Sequence, residues 1–124
     1  MDLLISSNLE GDYLQVKFSG TVTDLEDMKL IVKRVYDEIM KHDTRKAILD
    51  YTEYHPPDNL VYQAELVKFF SEELSDEIRQ WKLAIVMDSM YKSIADFWET
   101  YAVNRGYHFK VFYSMEEAQK YMSP

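Results

Sequence analysis

The run Leu83-Ala84-Ile85-Val86-Met87 constrains this chain more than any other segment. It is continuously apolar and reads as a strand. A strand with no polar alternate positions is of the kind buried on both faces by flanking helices, and the rest of the chain must supply those helices.

The remaining patterns fit that demand. Asp2 to Ser7, containing Leu3, Leu4 and Ile5, is a short strand-like run. Tyr13 to Ser19 alternates, with Leu14, Val16 and Phe18 on one face and Tyr13, Gln15, Lys17 and Ser19 on the other. Asn8-Leu9-Glu10-Gly11-Asp12 supplies turn chemistry between them, so the two runs read as a β-hairpin. Thr23 followed by Glu26 is a capping-box pattern that opens a helix. Along it Leu25, Met28, Ile31, Val32, Val35 and Ile39 form one apolar stripe, with Lys41 and His42 at the end that favours positive charge.

Ala47-Ile48-Leu49-Asp50-Tyr51 reads as a buried strand, followed by a loop from Thr52 to Asp58 that carries Pro56-Pro57. Asp58 or Asn59 can cap a second helix with Leu60, Ala64, Val67, Phe70 and Leu74 on one face. After the apolar strand, Asp88-Ser89 caps a third helix bearing Tyr91, Ile94, Ala95, Trp98, Tyr101 and Ala102, and Gly106 suits the left-handed position after it. Phe109 to Val111 is a last strand, and Ser114 with Glu117 caps a short terminal helix through Tyr121. The order β-β-α-β-α-β-α-β-α predicts an α/β fold, a mixed and mostly parallel sheet of about five strands with about four helices. The first strand is expected as an antiparallel edge. Residues 1–124 read as one domain, with no internal repeat or linker.

Composition removes several function classes. The chain has no cysteine, which excludes disulfides, thiolate zinc sites and thiol nucleophiles and fits a reducing, cytoplasmic setting. Acidic residues outnumber basic ones 22 to 14, a net charge of −8 that opposes binding to nucleic acid or to an anionic membrane surface. No apolar run approaches the roughly 20 residues of a membrane span, and the acidic start Met1-Asp2 does not read as a signal peptide.

The element order, the strand Arg45-Lys46-Ala47-Ile48-Leu49-Asp50, the stretch Val103-Asn104-Arg105-Gly106-Tyr107 leading into Lys110-Val111-Phe112, and the closing Ser114-Met115-Glu116-Glu117-Ala118 together resemble the STAS domains. Within them the likeness is to the SpoIIAA-like subgroup, which shares features with lipid-binding SEC14-type domains. The resemblance implies a regulatory module of bacterial type that binds rather than catalyses. The best-known STAS proteins are phosphorylated on Ser or Thr at the start of the second helix. The comparable segment here is Pro57-Asp58-Asn59-Leu60, which has no hydroxyl and no glycine. Asn59 cannot accept a phosphate, and Asp58 already brings negative charge there.

Ligands of open α/β sheets tend to sit beyond the carboxyl ends of the parallel strands. Asp50, Thr52, His55, Asp58, Asn59, Asp88, Ser89 and Tyr91 fall at those predicted ends and are the ligand- or partner-binding candidates, with Ser114 at the last one. Helix capping alone explains Asp88, Ser89 and Ser114. The carboxylates match no metal-loop spacing, and no metal or other cofactor is expected. The histidines, His42, His55 and His108, are scattered, and no glycine loop or nucleophile elbow accompanies them, so no catalytic residue is assigned. Aromatics crowd the second half of the chain. Tyr62, Phe69 and Phe70 are interaction-surface candidates because the adjacent pair cannot share one narrow stripe. Two readings follow: a non-catalytic module that binds a protein partner or a second copy of itself, or a carrier with an apolar pocket between helices and sheet for a small molecule or lipid.

Overall fold

The computed structural model describes residues 4–74 and 76–123; Asp2 and Leu3, placed in the first strand by sequence, lie outside them. A five-stranded sheet runs in the order β1 (Leu4–Glu10), β2 (Tyr13–Thr21), β3 (Lys46–His55), β4 (Lys82–Val86) and β5 (His108–Phe112). β1 is antiparallel to β2, and every later neighbour pair is parallel. The connections carry α1 (Leu25–Met40), α2 (Leu60–Glu73) and α3 (Lys92–Asn104), and α4 (Met115–Met122) closes the chain.

Strand order equals chain order from β2 to β5. When each parallel crossover steps the same way across a sheet with the same hand, the connecting helices fall on the same face. That is the arrangement found. Met28, Ile31, Val35 and Ile39 of α1, Leu66 of α2 and Ile94, Ala95 and Trp98 of α3 join one core with Leu14, Val16, Phe18, Ala47, Leu49, Leu83, Ile85 and Val111 of the sheet. On the reverse face α4 alone packs, its Ala118 and Met122 against Ile48, Ala84, Val86 and Phe112. The apolar strand at residues 83–87 is thus covered on both sides. Over β1 and β2 the reverse face is mostly polar, with Lys17 paired to Glu53 at 3.2 Å.

Several local expectations shift. The first strand does not stop at Ser7 but continues to Glu10, because the turn needs only Gly11 and Asp12. Gly11 has φ +65° and Asp12 a negative φ, the sign pattern of a type II′ hairpin turn. The cap of α1 is Asp24 rather than Thr23, its carboxylate accepting from the Asp27 backbone N–H at 2.8 Å. Asp88 caps a 3-10 turn at Ser89–Tyr91, and α3 begins only after it. A further 3-10 turn at Asp76–Gln80, which no sequence signal announced, leads Trp81 into β4.

The largest correction concerns β3. Sequence predicted a loop from Thr52, but the strand continues to His55, pairing Ser19, Gly20 and Thr21 with Glu53, Tyr54 and His55. Between Lys17↔Asp50 and Ser19↔Glu53, two β3 residues face one β2 residue, a bulge at Tyr51-Thr52 opposite Phe18. In a regular strand Tyr51 and Tyr54 would point to opposite faces. The bulge turns both inward, where they meet Phe18 edge to face at 6.0 and 5.6 Å.

α2 also differs from its expected face. Leu60 and Ala64 are exposed, and the fully buried positions are Gln63 and Leu66. The inward stripe runs through Gln63, Leu66, Val67, Phe70 and Leu74, one of the 3.6-residue rows open to this sequence. With apolar residues spread around it, α2 lays only part of its hydrophobic surface on the core.

The edges of the sheet are unlike. On β5 the outward backbone N–H of Val111 donates to the Glu99 carboxylate of α3 at 2.9 Å. β1 pairs with β2 along its full length, has no second neighbouring strand among the described residues, and exposes Leu4 and Leu9.

Candidate functional site

Two places among the described residues are candidates for a site: the carboxyl edge of the sheet and the space under the helices. At the edge, the extension of β3 separates the expected residues. Asp50 and Thr52 belong to the bulge inside the strand, not to its end. Asp50 Oδ1 accepts from the Thr52 backbone N–H at 3.1 Å and from its hydroxyl at 2.7 Å. The carboxylate thereby satisfies the N–H that the bulge removes from the ladder. Asp88 is occupied in the same way, accepting from the Met90 backbone N–H at 2.9 Å, and Asn59 caps α2 by accepting from Tyr62 N–H at 3.1 Å. Ser114 accepts from Glu117 N–H at 3.3 Å as the cap of α4.

His55 and Tyr91 are the pair that the fold brings together. His55 Nδ1 lies 2.9 Å from the Tyr91 hydroxyl, which ties the end of β3 to the 3-10 turn after β4. Asp58 and Ser89 stand exposed on either side of that tie in sequence. The described residues show no hydrogen bond from Thr52 or Ser89 to His55, and no group of three His, Asp or Glu side chains placed to hold a metal. Strand order never reverses between β2 and β5, so the sheet has no switch point at which its helices diverge to open a crevice. The edge is a surface.

Beside those polar groups the surface exposes three large apolar side chains. Leu60 and Val61 at the start of α2 are 57% and 70% exposed, and Met90 in the 3-10 turn is 72% exposed. All follow the carboxyl ends of neighbouring strands. The aromatic candidates lie elsewhere. Tyr62 and Phe70 are half-buried against the core, Phe70 meeting Tyr107 edge to face at 5.2 Å. Phe69 is half-buried beneath the Lys29 ammonium, 5.7 Å from the ring centre. Adjacent positions do diverge on the helix, but Lys29 of α1 covers one ring and Tyr107, just before β5, meets the other.

Under the helices lies a cavity of about 110 Å³, walled by α1, α2, α3 and the inner face of β3, β4 and β5. No ionisable Asp, Glu, Lys, Arg or His lines it. Two tryptophans do, with opposite fates. Trp98 Nε1 donates at 2.9 Å to Oε1 of Gln63, which is wholly buried and whose amide nitrogen donates to the Pro57 carbonyl at 3.2 Å. Trp81, 2% exposed and stacked on Tyr36 at 5.5 Å, has an indole N–H with no acceptor. Sequence reasoning passed over Gln63 altogether. Its place three residues before Leu66, in register with Phe70 and Leu74, was the available signal.

The two tyrosines beneath the bulge also line this space. Burial raises the Tyr51 hydroxyl pKa far above its ordinary value, with Tyr54 adding to the rise, and burial does the same for Tyr54, helped by Tyr91. An unfolded chain loses these protons near pH 10 while the folded chain keeps them. The stabilising contribution is therefore complete below pH 10 and is lost progressively above it. Denaturant titrations from pH 8 to 11 should show stability falling above pH 10 by up to about 1.4 kcal/mol per pH unit for each of the two tyrosines. Tyr51→Phe should flatten that slope, and an unchanged slope would mean the hydroxyl already meets water.

No family model and no curated protein matches the chain. Among solved structures it is similar to an uncharacterized protein of the DUF3478 family, with a SpoIIAA-like fold, from Shewanella loihica PV-4. The two are 19% identical, the likeness covers 98% of this chain and 93% of the other, and the TM-score is 0.54. No helix among the described residues is long and apolar enough to cross a membrane. The strand order, the lone antiparallel edge and that structural likeness together show that this chain has a SpoIIAA-like fold, as its resemblance to the STAS domains implied.

Proposed function

We propose that this chain is a non-catalytic binding module that docks a protein through the carboxyl edge of its sheet. The observation that carries the reading is the exposure of Leu60, Val61 and Met90 at that edge, where the His55–Tyr91 hydrogen bond fixes the two segments against each other. An apolar centre held on braced backbone loses little conformational freedom on association. Asp58 and Asp88 are also exposed there, so the complementary partner surface is apolar with basic residues around it.

Val61→Asp and Met90→Asp test this, since both side chains face solvent and the fold should tolerate them. With a basic amphipathic helical peptide as the probe, sedimentation velocity of the wild-type protein should show a complex, and its cross-links should map to the α2 start. Each variant should lose at least tenfold in affinity, with an unchanged circular dichroism spectrum. Association that survives both substitutions would move the interface elsewhere.

A second reading, that of a small-molecule carrier, is favoured by the apolar cavity beneath α1, α2 and α3. It needs neither the edge nor a protein partner.

A further inference from the structure

We infer that the outer edge of β1 receives an extended segment of another protein, one that combines aliphatic with basic residues and joins the sheet as a further strand. This surface is separate from the carboxyl edge and uses none of the residues there.

The backbone decides which groups are on offer. The two-residue turn Gly11-Asp12 joins Glu10 to Tyr13, and such a turn closes on a pair that exchanges both main-chain hydrogen bonds. Counting back along the antiparallel ladder, Asn8, Ser6 and Leu4 also bond to β2. The intervening residues Leu9, Ser7 and Ile5 turn their N–H and C=O groups the other way. No described strand lies on that side.

This edge lacks the usual guards. Sheets blunt an open edge with proline, lysine, a bulge, a very short strand or a covering group. Glu99 does this on β5, whereas β1 runs for 7 residues in unbroken register with neither proline nor lysine. It also carries Leu4 and Leu9, which are 73% and 57% exposed. Leu4 pairs with Ser19 and Leu9 with Leu14, which puts the two leucines on opposite faces. A strand laid alongside would cover both, its backbone giving affinity and its alternate side chains specificity.

Charge selects the occupant. The chain carries −8, which opposes a second copy and favours a cationic segment. Two carboxylates flank the edge. Glu10 is exposed at its end, on the face of Leu4. On the other face Glu38 of α1 accepts the Ser7 hydroxyl at 2.5 Å, with Lys41 on its second oxygen at 3.2 Å. A carboxylate has lone pairs for a further donor.

The probe is the capped heptapeptide Lys-Val-Thr-Lys-Thr-Val-Val. In antiparallel register it sets its lysines against Glu10 and Ser7, and its valines against Leu9, Ile5 and Leu4. Amide exchange of the full chain is read by NMR. Without peptide, the amides of Ile5, Ser7 and Leu9 should exchange fast and those of Ser6 and Asn8 slowly. At saturation the fast set should slow by at least about tenfold. N-methylation of the peptide's second, fourth and sixth residues removes the donors aimed at β1 and should abolish that protection. N-methylation of its two threonines, whose N–H groups face away, should leave it intact. Glutamate in place of both lysines should weaken binding at least about tenfold at low salt. Ser7→Pro removes an outward donor where an edge strand tolerates proline, and should weaken binding by a similar factor. The methylated peptides make the same test on wild type, so it survives a variant that folds badly.

Exchange at Ile5, Ser7 and Leu9 that stays fast at about 5 mM peptide would overturn the inference. Protection confined to the start of α2 would put the peptide on the carboxyl edge and overturn it too. Equal binding by the glutamate peptide would overturn the cationic partner. Slow exchange of the same amides in the chain alone, deepening with protein concentration, would show a second copy on the edge and overturn the assignment to another protein.

Discussion

Phe18→Ala should remove about 4 kcal/mol of unfolding free energy, measured by urea titration at neutral pH. Phe18 is fully buried opposite the bulge in β3, in a cluster of three rings with Tyr51 and Tyr54. Truncating a buried Phe typically costs about 3–5 kcal/mol in lost transfer energy and residual cavity. Each edge-to-face pair adds about 0.5–1.5 kcal/mol beyond its area. The bulge makes relaxation difficult, because Asp50 holds Thr52 through its backbone N–H and its hydroxyl and keeps the tyrosines from following the missing ring. For a domain whose total stability lies around 5–15 kcal/mol, the variant sits close to unfolding. Phe18→Leu, which keeps most of the volume, should cost about 1–2 kcal/mol. A cost below about 1.5 kcal/mol for Phe18→Ala would mean that the rings repack across the gap.

Gln63→Leu should cost about 2–4 kcal/mol despite adding apolar surface to a core helix. The substitution nearly preserves volume, so the loss comes from polarity. It strands the Trp98 N–H and removes the donor to the Pro57 carbonyl. Each buried group left without its partner costs about 1–3 kcal/mol. A double-mutant cycle separates this from simple misfit. In a Trp98→Phe background, where no indole needs an acceptor, Gln63→Leu should become cheaper by about 1–2 kcal/mol. Additive losses would show that the amide acts through the Pro57 carbonyl alone.

The contrast between these two sites explains what could be read from sequence. Phe18 was legible as core because β2 alternates cleanly, and the sheet's order and directions followed from the strand–helix rhythm. The bulge was not, because it arises from pairing: nothing in Asp50-Tyr51-Thr52-Glu53 says that two of these residues will face one on β2. Reading Thr52 as the start of a loop then placed Asp50 and Thr52 at an edge they do not reach. Gln63 was hidden for a related reason. α2 offers more than one apolar row, and only the positions of α1 and α3 decide which row turns inward. The candidate edge was half legible: His55 and Tyr91 do meet, whereas the exposed Leu60, Val61 and Met90 look from sequence like ordinary helix interior. The cavity was legible only as a possibility, since a void is a property of how elements fit rather than of any one of them.

The unlike edges of the sheet have a consequence for how copies of this protein can go wrong. Growth into a fibre needs two adhesive sides on every unit, one to receive and one to offer. Here the Glu99 carboxylate occupies the outward Val111 N–H on β5, leaving β1 as the accessible side. Two molecules that met strand to strand along β1 would each use up that side, and the outer margins of the pair would both be the guarded kind. The error would end at a pair instead of spreading, an asymmetry set by one acidic side chain on a helix.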